Sequence, residues 1–418
     1  MIYHTENSCR SCGSKELTLI HSFGETPLAD RLLTKDQLEK PEYKVPLDLI
    51  LCETCSLVQI SQTVKPKILF QENYPYYSSV SAMLMRHTRE NALELIDLLK
   101  LNQNSLVIEP ASNDGYMLKN FHEFGIPVIG IDPADGPAKT AVQNGIPTIN
   151  QFFGVDLAYQ LKKEGKQADL IIANNVLAHV ADLNGFVEGL STLLKLDGTA
   201  VLEMPYLLDL IDHCEFDTIY HQHLCYFSVT ALKTLFERHT LYINDVRRIN
   251  IHGGSLRVYI SHRPIQSERV QSLLQQEKDL QIQTASYYKK FTEQVSSIKT
   301  ELLEILTRLK QDNKRIVGYG AAAKACTLLS YLEIDKKYLD YIVDLSPIKH
   351  NRFMGGNHLE IFPVEKLMED DPNYTLILAW NFSDEIMQQQ SAYAINGGKF
   401  IVPIPYPEIK ENQPLVIK

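Results

Sequence analysis

The sequence predicts an α/β protein: two open, mostly parallel sheets joined by one long helix and preceded by a small cysteine-stapled module. Three observations predict it. Four of the seven cysteines fall in two C-x-x-C pairs, Cys9/Cys12 and Cys52/Cys55. Short apolar runs alternate with helical stretches between residues 105 and 262 and again after 314. Between these regions, residues 266–313 contain neither proline nor glycine, and Phe291, Val295, Ile298, Leu302, Ile305 and Leu309 recur at helical spacing.

At 418 residues the chain exceeds what one core usually supports. The pattern divides it into a module at 1–80, a first α/β region at 81–264, a connecting helix at 265–313 and a second α/β region at 314–418. The 44% hydrophobic and 22% charged fractions are those of a globular protein, and no apolar run is long enough to cross a bilayer. Residues 1–10 carry His4, Glu6 and Asn7 where a signal peptide needs an apolar stretch, so the expected location is the cytoplasm. A net charge of −10 without a basic block makes nucleic acid a poor partner.

Taken in order, the two C-x-x-C pairs flank a strand at 46–52, and each pair supplies two thiolates from a tight turn. Four such ligands make a closed tetrahedral zinc site that stabilises the fold and leaves no position open for catalysis. Leu, Met and Ile at helical steps then predict a helix over 81–100. Strands are expected at 106–109, 128–131, 170–173 and 200–203, with a later, antiparallel one at 255–260.

The first of these strands runs into Ile108-Glu-Pro-Ala-Ser-Asn-Asp-Gly115. A small-residue turn there admits a polar ligand to backbone N–H groups, although the turn lacks the G-x-G-x-x-G spacing and a purely structural role competes. The next strand ends in Asp132, placed to grip a ribose diol. Beyond the third lie Asn174, Asn175 and His179, at the edge where open sheets bind ligands, and a buried structural histidine is the alternative for His179. The fourth ends in Glu203 and Tyr206.

The densest cluster is Asp217-Thr-Ile-Tyr-His-Gln-His-Leu-Cys-Tyr-Phe-Ser228. If extended, it points Tyr220 and Gln222 one way and His221 and His223 the other. These groups suit proton transfer near neutrality, with metal ligation as a competing role. In His252-Gly253-Gly254-Ser-Leu-Arg257 the glycines permit close backbone approach to a substrate, or simply a hairpin turn. After the long helix, strands are expected at 315–319, 341–344, 375–379 and 400–404. The turn after the first holds Gly318, Gly320 and Lys324, groups that admit and neutralise phosphate, and Asp344 ends the second.

Together these phrases resemble the nucleotide-deoxysugar C-3-methyltransferases, which build the methyl branch of mycarose-like and tetronitrose-like sugars. The resemblance covers nearly the whole length. It rests on the zinc motif, Tyr76-Tyr-Ser-Ser79 with Ser81 and His87, the S-N-D-G turn, N-N-V-L-A-H, I-Y-H-x-H-L-x-Y-F-S, H-G-G-S-L-R, and G-Y-G-A-x-x-K followed by Val343-Asp344. It implies a zinc-binding domain, a Rossmann-like methyltransferase domain and a C-terminal Rossmann-like domain that helps to hold the nucleotide sugar. It assigns S-adenosylmethionine to Glu109, Ser112, Asn113, Asp114, Gly115, Asp132, Asn174 and Asn175. The sugar nucleotide, TDP- or GDP-linked, falls to Tyr76, Ser78, Ser79, Ser81, His87, Glu203, Tyr206, His221, His252, Gly253, Gly254, Arg257, Gly318, Gly320, Lys324 and Asp344. His223 corresponds to the family's general base. The family carries Glu just before it, where this chain has Gln222, and the segment Phe353-Met-Gly-Gly-Asn-His358 departs from the family's proline-glycine-threonine phrase.

The implied reaction is removal of the C-3 proton of a 4-keto sugar by His223, with Tyr220 or His179 donating to the enolate oxygen, followed by attack of C-3 on the methyl group. Two other readings stand beside it: methyl transfer to a different small keto metabolite, and a nucleotide-sugar binding protein without activity.

Overall fold

The structure, a computed structural model, describes residues 2–70, 77–251 and 253–411. The strand Lys44–Cys52 places Val45, Leu47, Leu49 and Leu51 on one wholly buried face, the two-residue period of a half-buried strand. It pairs antiparallel with Leu17–Pro27 and Val58–Ile60. The fourth strand of this sheet, Cys225–Tyr226, comes from the methyltransferase-like region and pairs with Val58–Ile60. The cysteine module is therefore completed by residues more than 160 positions from their strand partners.

The helix Ala82–Leu99 opens where the Ser81 hydroxyl accepts a hydrogen bond from Leu84 N–H at 3.2 Å. The central sheet has seven strands, in the order Tyr242–Ile249, Ser255–Ser261, Leu194–Pro205, Ala168–Asn174, Val107–Pro110, Val128–Ile131 and Thr148–Ile149. The last five run parallel; Ser255–Ser261 is antiparallel to its neighbours, as expected. The chain reverses direction across the sheet between Val107–Pro110 and Ala168–Asn174. A crevice opens at the carboxyl ends of such a pair. The strand Tyr242–Ile249 was not expected, because a bulge between Ile243 and Asp245 breaks the alternation that would mark it.

The long helical stretch is broken once, into Glu268–Asp279 and Lys289–Gln311, after Gln281 takes a left-handed φ of 57°. Its buried face uses Leu306 where the spacing pointed to Ile305, which is only partly covered. The second sheet orders Ile361–Phe362, Ile342–Val343, Ile316–Tyr319, Tyr374–Ile377, Lys399–Val402 and Glu408–Lys410, the first five parallel. One continuous apolar core runs from Cys9 to Ile404, so the three parts are packed as one body. Among the described residues no helix is long and apolar enough to cross a membrane.

Candidate active site

At the carboxyl end of Val107–Pro110 the chain takes three left-handed residues in five, Ala111, Asn113 and Gly115. This draws the turn over the sheet edge. Asp132 holds it there: its carboxylate accepts Asn113 N–H and Ala134 N–H, each at 2.8 Å. Each oxygen keeps a second lone pair for a further donor. Ser78 N–H donates to the Asn113 side chain at 2.9 Å, and the Ser79 hydroxyl donates to Asp114 at 2.5 Å. The segment before the helix Ala82–Leu99 thus closes one side of the turn.

Around this turn and the adjoining strand ends are buried polar atoms with no hydrogen-bond partner: Glu109 Oε2, Ser112 Oγ, Asp114 Oδ1, and both side-chain polar atoms of Asn174. Native proteins rarely leave such groups unmatched unless a ligand completes them. Burial, and then the neighbouring Asp132 and Asp114, push the Glu109 carboxyl well above its usual range. Three acids and several unmatched polar groups fit S-adenosylmethionine, which carries an ammonium, a sulfonium and ribose hydroxyls. Asn175, at a φ of 54°, turns the next loop toward the same crevice.

That loop leads to His179. Its Nδ1–H donates to the Gln222 carbonyl at 2.7 Å, and its ring centre lies 4.7 Å from that of His223. Burial pushes His179 down to about 4, so it is neutral at pH 7. The 220–223 stretch is a tight turn closed by His223 N–H to Tyr220 carbonyl at 2.8 Å, not the extended run whose alternation would separate these two side chains. The turn instead stacks the Tyr220 and His223 rings at 4.2 Å, with the Tyr220 hydroxyl 3.0 Å from His223 Nε2. His223 Nδ1–H donates to the Thr218 carbonyl at 2.8 Å, so Nε2 is the ring nitrogen that faces the phenol.

Other predicted residues are placed in different surroundings. His221 is wholly buried and donates to the Pro46 carbonyl of the cysteine module at 3.0 Å. The Tyr206 hydroxyl donates to buried Glu277 at 2.9 Å. The Gln222 side chain bonds the Asp30 carboxyl; burial raises that acid, and Lys349 and Gln222 partly offset the rise. Glu203 is gripped by Arg257 at 2.6 Å, His87 at 2.8 Å and Asn91 at 3.3 Å, a buried cluster at the end of its strand. Gly253 and Gly254 have φ of 91° and 132°, and a side chain at either would strike the carboxylates of Glu215 and Asp209. Tyr76 and His252 lie outside the described residues.

The second sheet repeats the first arrangement. Asp344 accepts Ala321 N–H at 2.7 Å and Ser346 N–H at 2.8 Å, with the Lys349 ammonium at 3.2 Å. Gly318 lies within the strand and Gly320, with φ of 94°, starts the turn. Lys324 donates to Asn381 at 2.8 Å and lies 4.4 Å over the Trp380 ring. Its charge acts on Asp217 and Glu215, buried acids that burial raises, Asp217 to about 6. Asp217, Glu215 and Trp380 were not singled out from the sequence. The available signal was that Trp380 is the chain's one tryptophan and follows a candidate strand.

In the module, the sulfurs of Cys9, Cys12, Cys52 and Cys55 lie within 4.8 Å of one another, and Cys9/Cys55 and Cys12/Cys52 are each 3.5 Å apart. Four converging thiols fit one zinc ion, which holds them as thiolates.

Comparisons with known proteins agree with this reading. Three families match in succession: a zinc binding domain over residues 9–70, a methyltransferase domain over 84–244 and a C-methyltransferase C-terminal domain over 250–405. The C-methyltransferase NovU of Streptomyces niveus is 32% identical over 406 residues, 96% of each chain. Solved structures are more distant. A magnesium protoporphyrin IX methyltransferase of Synechocystis superposes with a TM-score of 0.36 at 16% identity, over 43% of this chain and 83% of that one. A Pyrococcus horikoshii protein gives 0.37 at 16%, over 46% and 97%. The three matches in sequence and the full-length relative place this chain in the C-methyltransferase family that NovU represents, as an S-adenosylmethionine-dependent enzyme with a structural zinc domain.

Proposed function

We propose that the chain methylates C-3 of a TDP- or GDP-linked 4-keto-6-deoxysugar. The observation that carries this reading is the His223 Nε2 lone pair held against the Tyr220 hydroxyl, beside His179, on the loop that borders the cofactor crevice. A carbon acceptor must lose a proton before it can attack, and a C-4 ketone makes the C-3 hydrogen acidic enough for a histidine. S-adenosylmethionine supplies an electrophilic methyl group. Its holders would be Glu109, Ser112, Asn113, Asp114, Gly115, Asp132, Asn174 and Asn175, whose acidic groups and unmatched polar atoms suit an ammonium and ribose hydroxyls.

His223 Nε2 takes the C-3 proton, and the Thr218 carbonyl on Nδ1–H stabilises the imidazolium that forms. The donor to the enolate oxygen is Tyr220, whose hydroxyl turns from His223 Nε2 to the substrate and so frees that nitrogen for the C-3 proton. His179 already commits its one ring proton to the Gln222 carbonyl, and at neutral pH it has none to give from Nε2. Gly318, Gly320, Lys324 and Asp344 receive the diphosphate and nucleoside.

The test is mass spectrometry of products from S-adenosylmethionine with TDP- and GDP-linked 4-keto-6-deoxysugars, combined with solvent deuterium exchange at C-3. Cofactor-dependent gain of one methyl on carbon supports the proposal. A methyl on oxygen, or no product with either nucleotide, removes it.

A further inference from the structure

The residues from Glu215 to Tyr226 belong to the methyltransferase region, yet the C-terminal domain grips them from one side. The indole Nε1–H of Trp380 donates to Asp217 at 2.7 Å, and the Thr327 hydroxyl donates to the Ile219 carbonyl at 2.6 Å. Asp217 is wholly buried. These two bonds straddle Thr218, whose carbonyl orients His223. Trp380 also carries Lys324 on its ring face. One side chain therefore touches both the lysine assigned to the nucleotide and the strut behind the base.

We propose that Trp380 is a positioning residue: through Asp217 and the Thr218 carbonyl, the C-terminal domain fixes the orientation of the His223 ring. This rests on the reading of His223 as the base. The reasoning is geometric. A histidine is an efficient base only when its lone pair is aimed, and its tautomer and aim follow from the acceptor on the other ring nitrogen. Here that acceptor is a backbone carbonyl in a short 3-10 turn, Phe216–Thr218, whose flanks are tied down by Trp380 and Thr327. The charged groups acting on Asp217 include Lys324, and the titratable rings around His223 include Tyr220, His179 and Tyr226.

Trp380→Phe keeps an aromatic face for Lys324 and removes the N–H donor together with part of the indole's volume. In the full enzyme its C-3 deuterium exchange and kcat should fall about 10-fold or more, as expected when a base loses alignment. KM for the sugar nucleotide and the Kd for S-adenosylmethionine should stay within about threefold, a change too small to mark a lost contact. Asp217→Leu, which has no acceptor for the indole, should fall with Trp380→Phe. The proposal is overturned if Trp380→Phe exchanges at the parent rate, or if its defect is confined to KM. His223→Ala in the same assay separates the two ideas. Exchange at the parent rate in His223→Ala would remove the base assignment and the strut with it, while a dead His223→Ala beside a parent-like Trp380→Phe would remove only the strut.

Discussion

At the scale of single residues, each side chain assigned to chemistry is held by a partner that limits what it can do. If His223 removes the proton, His223→Ala should lower turnover by about 10²–10⁴-fold with ligand binding retained, measured by steady-state kinetics and calorimetry. Gln222 contacts the Asp30 carboxyl, so Gln222→Glu would set two acids together in a largely desolvated place. That variant should lose thermal stability, and Asp30→Asn should restore most of it in a double-mutant cycle. His179 provides a pH test. Its folded pKa, about 4, lies below the ordinary value of 6.5, so the unfolded chain binds the proton first. Its contribution to stability is complete above pH 6.5 and is lost as pH falls toward 4. Asp217, raised to about 6 by burial, acts in the opposite sense, losing its contribution as pH rises from 4 to 6. The difference in Tm between the parent and His179→Gln across pH 4–7 isolates the histidine, and it should narrow as pH falls.

At the scale of elements, the connecting helix does more than join two sheets. Its Glu277 is wholly buried, yet its carboxylate accepts Val229 N–H and Thr230 N–H, each at 2.7 Å, with the hydroxyls of Thr230 and Tyr206. The two amides open the helix Val229–Glu237, where backbone donors lack partners and the dipole favours an anion. Removing such a group leaves those donors buried and unmatched. Glu277→Ala should cost about 3 kcal/mol in urea unfolding, more than an exposed cap would. Nothing in the spacing of residues 268–279 distinguishes Glu277 from its solvated neighbours. Its partners lie 47 to 71 positions away.

At the scale of the whole molecule, the zinc module and the active loop share a sheet. Cys52 and Cys55 sit at the turn between Lys44–Cys52 and Val58–Ile60, and the latter strand pairs with Cys225–Tyr226, two residues past His223. Chelation of the metal should therefore speed amide hydrogen exchange at 58–60 and 225–226. S-adenosylmethionine binding should be little changed, because the turn after Val107–Pro110 has its own supports. Equal protection with and without metal would show that the sheet stands without it.

Much of this architecture was legible from local pattern. Cysteine spacing announced the metal site, short apolar runs announced four parallel strands of the central sheet and a fifth as antiparallel, and the absence of glycine and proline announced the long helix. Such signals survive in one dimension because hydrogen bonding and burial repeat along the chain. The turn that stacks Tyr220 on His223 was not legible, since the same residues read equally well as an extended run. Nor were Asp217 and Trp380, which are 163 positions apart and meet only because the second sheet docks on the first. The sequence by itself determined most of the central strands, the long helix, the metal ligands and the chemical types gathered at each sheet edge. The tertiary structure alone decided which of those groups face one another, because a side chain's tautomer, charge and aim depend on neighbours that only docking supplies.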